Sequence, residues 1–298
     1  MLLFGVLLVS CHSGGGNGTA VDDTPGKGTI RISVDESFKP IIDSQIKVYM
    51  ASNPEANIIA EYKPEAECLR DLQNDSTRMV IVTRGLSKGE NEGFEAKLGF
   101  KPSWGLLAYD AVAVLLHQQS KDSVFTMSEL RAMLLDQSPK SYQIVMDGNK
   151  ATSTVRFAID SLLKGQPLGR QVVAAKSSPD VIDYVSRTPG SLGMVGVSWI
   201  GNPDDSLQLT FMKKVQVAAL QCDGCPGKPF TRPYQANIAM GRYPLIRGLY
   251  FILKENYNGL GRGFVNFLIY ERGQLIFKRA YLLPGRMNFE VRNMRITE

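Results

Sequence analysis

Asp147-Gly148-Asn149-Lys150-Ala151-Thr152-Ser153-Thr154-Val155-Arg156-Phe157 runs on into residues 158–163. From Val155 onward the apolar residues Val155, Ala158, Ile159, Leu162 and Leu163 recur at the spacing of one buried helical face, so a helix is expected over 152–163. Three consecutive hydroxyl residues stand at its start. Free backbone N–H groups, the positive end of the helix dipole and Ser/Thr side chains converge there, and together they can hold phosphate or sulfate without a dedicated cation. Simple capping, the ordinary use of Ser and Thr at a helix start, accounts for the same residues. Alone, the stretch fits either use.

Its surroundings alternate strand and helix. Residues 126–135 read as a helix and 142–146 as a strand before it; 172–175, 178–186 and 192–199 follow as strand, helix and strand, and 215–220 runs back out. Nearer the start, 29–34 is a β-branched strand, Asp35-Glu36-Ser37 a tight loop, and Phe38, Ile41, Ile42, Ile46, Tyr49 and Met50 a helical face with Pro40 in its first turn. A strand at 58–62, a helix at 65–74, a continuous apolar strand at 79–82 and a helix at 87–98 extend the pattern. Thr83-Arg84-Gly85 closes that third strand. Such runs suit a parallel sheet covered on both faces, whose carboxyl edge is where ligands bind. The apolar run 108–116, which contains Asp110, is expected to leave a first lobe and enter a second. In the last third come Tyr243-Pro244-Leu245, an apolar 249–253, a helix over 261–272, and 274–277.

Length and composition set the class. With 298 residues, 44% hydrophobic and 21% charged, the chain can build one large or two medium domains. The net charge of +5 is spread along the sequence with no dense Lys/Arg stripe, which excludes a nucleic-acid groove. Residues 2–9 are apolar but too short to span a bilayer, and they end at Leu8-Val9-Ser10-Cys11, which resembles a bacterial lipobox. That resemblance implies a signal peptide over 1–10 and a lipid anchor on Cys11, where the alternative is a buried N-terminal strand. No Lys or Arg precedes the apolar run, so the start codon is expected upstream. Residues 11–27, rich in Gly, Ser, Asn and Asp, read as a flexible tether.

Motif order adds a family. Thr29-Ile30-Arg31-Ile32 with Ser37, Phe38 and Pro40, then Val82-Thr83-Arg84-Gly85-Leu86, then Tyr109-Asp110-Ala111-Val112-Ala113-Val114, resembles the phosphate-binding proteins of bacterial phosphate ABC transporters. Pro189-Gly190-Ser191-Leu192-Gly193-Met194-Val195-Gly196, Arg242-Tyr243-Pro244-Leu245-Ile246-Arg247 and Arg272-Gly273-Gln274 follow in the family's order. The resemblance covers residues 28–283. It implies an α/β, two-lobed type II periplasmic binding fold, with lobe one at 28–109 and 231–298 and lobe two at 110–230. A monomer is expected, and the lobes would close on ligand and present the closed form to a membrane permease.

Carried over residue by residue, the implied phosphate or oxyanion contacts are Ser37 and the Phe38 backbone N–H, Thr83 and Arg84, and Thr152, Ser153 and Thr154. Arg84 would supply a bidentate fork. Two departures stand out: the arginine the family carries shortly before its hydroxyl stretch is absent, with Gly148-Asn149-Lys150 there instead, and Asp35 and Glu36 flank the first anion loop. A carboxylate can accept the proton of hydrogen phosphate, repel a dianion, or cap the helix.

Other chemistries find no support. His12 and His117 stand apart from Cys and carboxylates, so no metal is expected, nor is any cofactor. Gly196-Val197-Ser198-Trp199-Ile200-Gly201 misses nucleophile-elbow spacing, and Gly259-Leu260-Gly261-Arg262-Gly263-Phe264 lacks the third glycine of a dinucleotide loop. Cys222-Asp223-Gly224-Cys225 reads as a local disulfide, a redox pair or two free thiols, with the disulfide preferred; Cys68 reads as a buried small apolar residue. The expectation is a membrane-tethered solute-binding lipoprotein on the periplasmic side of a bacterial membrane, without enzymatic activity. The rival is a degenerate relative that acts as sensor or scaffold.

Overall fold

The computed structural model describes residues 23–148 and 152–286. Residues 1–10, Cys11, most of the expected tether and Asn149-Lys150-Ala151 lie outside the described residues.

The chain begins with β1 (Lys27–Asp35), α1 (Lys39–Ser52), β2 (Glu55–Lys63), α2 (Glu65–Asp71), β3 (Thr77–Val82), α3 (Lys88–Leu98) and the long β4 (Ser103–His117). It continues with β5 (Val124–Phe125), α4 (Met127–Leu134), β6 (Gln143–Asp147), α5 (Ser153–Phe157), β7 (Val173–Ala175), α6 (Ser178–Arg187) and β8 (Ser191–Gly196). After these come α7 (Ser206–Met212), β9 (Val215–Val217), β10 (Ala219–Gln221), β11 (Phe230–Thr231), α8 (Gln235–Ala239), β12 (Ile246–Leu253), α9 (Leu260–Ile269), α10 (Glu271–Arg279) and β13 (Leu283–Pro284). Local chemistry fixes several ends. Ser87 with Glu90 and Thr126 with Glu129 form capping boxes at the starts of α3 and α4, each satisfying two backbone donors that the helix leaves open. Gly99, at φ 76°, ends α3 in a conformation that costs glycine least.

One path of strands, β2-β1-β3-β12-β4-β8-β6-β7, connects the two halves. β12 is antiparallel to both β3 and β4, so β1 and β3 run in the direction of β4. β8 is antiparallel to β4 and parallel to β6, so these two run against it. The carboxyl ends of β1 and β3 therefore point toward those of β6 and β8 across the middle of β4, where Asp110 lies. This opposition creates the cleft.

Buried side chains cover each half on both faces. In the first half, Ile41 and Ile42 of α1 and Phe264 of α9 pack on one side, while Cys68, Leu72 and Phe94 pack on the other. In the second half, Val181 and Val185 of α6 lie on one side, and Leu130 of α4 and Val155 of α5 on the other. Ile238, Tyr243 and Leu245 pack within the cluster that holds Val155, so the return crossing is carried by β12, later than the residue 231 expected from sequence. Cys222 and Cys225 are joined by a disulfide. Among the described residues no helix is long and apolar enough to cross a membrane.

Three expected elements end differently. The helix expected over 152–163 is α5 followed by a widened π-type turn, Ala158–Leu162, in which Leu163 N–H reaches the Ala158 carbonyl at 2.9 Å. The strand expected over 192–199 stops at Gly196, and Val197–Trp199 coils into a 3-10 turn that sends the Ser198 hydroxyl to the Ser37 carbonyl at 2.8 Å. The helix expected over 261–272 is two helices broken at Tyr270, and Gly273 lets α10 come down on the end of α9, since a Cβ there would meet the Phe267 carbonyl at 2.3 Å.

Candidate functional site

The loop after β1 and the start of α5 meet at the cleft. The Ser37 and Ser153 hydroxyls, one from each lobe, lie 3.3 Å apart and are fully buried. Asp35 folds back to accept the Ser37 N–H at 3.0 Å, which fixes the tight turn. Thr152 caps α5: its hydroxyl accepts the Val155 N–H at 3.3 Å and donates to the Asp147 carbonyl at 2.7 Å. Capping thus falls to Thr152, while the Ser153 and Thr154 hydroxyls turn elsewhere.

At the centre is Arg247, which the return strand β12 places directly opposite Asp110 of β4. Its Nε and Nη2 each lie 2.9 Å from Asp110 Oδ2, while Nη1 donates to Ser153 Oγ at 2.9 Å and to Thr154 Oγ1 at 3.3 Å. The Phe38 ring underlies the guanidinium, 5.0 Å from centroid to Cζ. Only 5% of Arg247 is exposed, and it is paired in the interior with Asp110. Gly196 makes the room. A Cβ there would stand 2.9 Å from Arg247 Nη2 and 3.1 Å from Asp110 Oδ2. Gly196→Ala is therefore expected to destabilise the protein by roughly 1–3 kcal/mol, measurable as a lower urea midpoint at constant slope; an unchanged midpoint would mean that the guanidinium moves freely.

Carboxyl groups crowd this cation. Burial pushes Asp35 up to about 7, with Glu65 adding to the rise and Arg247 opposing it. Glu36, half-buried beside it, is likewise pushed up to about 7 by burial and then by repulsion from Asp147, Asp35 and Glu67. Asp110 and Asp147 rise for the same first reason, with Arg247 working against it in both. Oδ2 of Asp35 is buried without a hydrogen-bond partner. Near neutral pH such a group can hold or release a proton, so it can donate to an oxyanion oxygen or accept from a protonated one.

The structure brings Ser37, Phe38, Ser153 and Thr154 together around Arg247. Thr83 lies on Glu65, to which it gives its N–H at 2.8 Å and its hydroxyl at 2.6 Å. Arg84 does not join the cluster: its fork is closed on Glu90, with two contacts of 2.8 Å. Sequence reasoning passed over Arg247, Asp110, Glu65 and Arg156 as site residues. The available signal was a charged residue inside an apolar strand, Asp110 within Ala108-Tyr109-Asp110-Ala111-Val112 and Arg247 ahead of Gly248-Leu249-Tyr250-Phe251.

Comparison with known proteins agrees with this architecture. The pattern of the PBP superfamily domain matches residues 19–272. The chain belongs to this superfamily. The phosphate-binding protein PstS of Pseudomonas aeruginosa is 23% identical over 266 residues, spanning 80% of this chain and 78% of the relative. The PstS of Bacillus subtilis is 21% identical over 286 residues, spanning 90% and 86%. A structure from Clostridium perfringens described as a phosphate ABC transporter substrate-binding protein with bound phosphate superposes with a TM-score of 0.71 at 14% identity, covering 87% of this chain and all of that one. An ABC-type phosphate transport receptor from Vibrio cholerae gives 0.63 at 17%, covering 86% of this chain and all of that one. These likenesses establish the two-lobed fold. Within this PBP-superfamily chain, Arg247 reaches Ser153 and Thr154 of α5 from β12.

Proposed function

We propose that the protein captures a protonated oxyanion, inorganic phosphate first, between its lobes and hands it to an ABC-type permease. The observation that carries this reading is the pair of buried hydroxyls, Ser37 and Ser153, meeting from opposite lobes, with the Arg247 guanidinium donating to Ser153. An anion among them gains donors from both lobes at once, which favours the closed form. Asp35 in its ionised form can accept the proton of hydrogen phosphate, which fully ionised sulfate cannot offer, and this favours phosphate over sulfate. The working place is extracytoplasmic, with Cys11 as lipid anchor, the protein a monomer, and Thr152 and Thr83 supporting the cleft walls. Binding and release, without bond making, complete its task.

A second reading has its own support. Arg247 already gives Nε to Asp110 and Nη1 to Ser153 and Thr154, and the serine hydroxyls touch, which suits a degenerate relative that signals or scaffolds through its surface. Calorimetry with phosphate, sulfate and arsenate separates the two. Saturable phosphate binding that outcompetes sulfate and weakens about tenfold in Ser153→Ala is expected for capture; no heat with any of the three anions would favour the scaffold.

A further inference from the structure

Glu65 opens α2 in the first lobe, and its side chain is buried. Its carboxylate takes the Thr83 N–H and hydroxyl from the end of β3. From the second lobe, Arg156 of α5 adds Nε and, at 3.3 Å, Nη2. Arg156 Nη2 also donates to the Thr83 hydroxyl. Burial alone would raise the Glu65 carboxyl, but Arg156 and Thr83 hold it below the ordinary range, so it stays ionised.

A backbone N–H, a hydroxyl and a guanidinium converging from both lobes on one carboxylate are the donors an external oxyanion would require. Here the anion is covalently part of the chain. We propose that Thr83 and Arg156 form a second interlobe anion site whose resident occupant is the Glu65 carboxylate, an internal ligand that holds the lobes together. Small free carboxylates take the site when Glu65 is shortened. Thr83, expected at the sequence level to meet the transported anion, thereby serves the latch. The proposal rests on the interlobe cleft and on no residue of the Arg247 cluster, so phosphate titration of the wild-type chain can fail without touching it.

Acetate and formate, added to the full chain and to Glu65→Ala, test this. Acetate should raise the melting temperature of Glu65→Ala saturably, by about 5 °C when in large excess over its dissociation constant, and should produce no saturable rise in the wild type. Equal responses in both chains, or none in Glu65→Ala, would overturn the proposal. Small-angle scattering supplies an arm that does not need that variant: Arg156→Ala should have a larger radius of gyration than the wild type without added anion. An identical radius rejects the latch even if Glu65→Ala fails to fold.

Discussion

Arg247→Ala is expected to abolish anion binding and to lower stability by about 3 kcal/mol. Removing the guanidinium takes the cationic partner from Asp110 Oδ2, and Ser153 and Thr154 lose the donor that draws α5 onto β12. The Asp110 carboxyl, fully buried, must then stay charged without a partner or take up a proton. Protonation caps the loss, which is why the expected cost sits at the low end for a broken buried pair. Urea unfolding measures the stability and calorimetry the binding. The double variant Asp110→Leu with Arg247→Met separates the two roles: apolar groups of similar size should recover much of the stability while binding stays absent. Phosphate binding retained in Arg247→Ala would remove this residue from the site.

How far the site was legible follows from where its residues sit. β1, α1, β3 and β6 announce themselves through period, because each buries a face and each is local in sequence. Ser37, Ser153 and Thr154 were legible as neighbours across the cleft because loops and helix starts gather at a carboxyl sheet edge. Arg247 was not. Its function depends on the register of β12 against β4, a pairing between positions far apart in the chain. Arg84 shows the opposite case: its place at a strand end is right for a ligand, yet Glu90, which closes the capping box of α3, lies within reach and takes the fork. Local competition of this kind depends on side-chain direction rather than sequence spacing. The latch was hidden for both reasons, since Glu65 resembles an ordinary first-turn acid of α2 and Arg156 an exposed helical position of α5.

Stability should fall as pH rises from about 5 to 8. Asp35 has an ordinary value of 3.8 and is pushed to about 7 by burial in the fold. Between those values the native state binds a proton that the unfolded chain has released, so each step up in pH favours unfolding, and the penalty is complete above about 7. A shift of this size in a fully buried group corresponds to several kcal/mol, on the order of 4. Glu36 acts with the same sign and a smaller share, because solvent reaches it. Opposing groups set the acid limit: Glu65 and Asp71 are held below their ordinary values, and Glu90 is held at about 2, each chiefly by a cationic partner acting against burial or with little of it. Their contribution is present above about pH 4 and is lost as pH falls below it. Thermal unfolding without added anion should therefore give its highest melting temperature near pH 5 and a lower one at pH 8. Asp35→Asn should flatten the fall, since the amide carries no titrating proton in either state. A profile that rises from pH 5 to 8, or one unchanged by Asp35→Asn, would show that Asp35 is ionised in the fold, and it would then meet an oxyanion only as a proton acceptor.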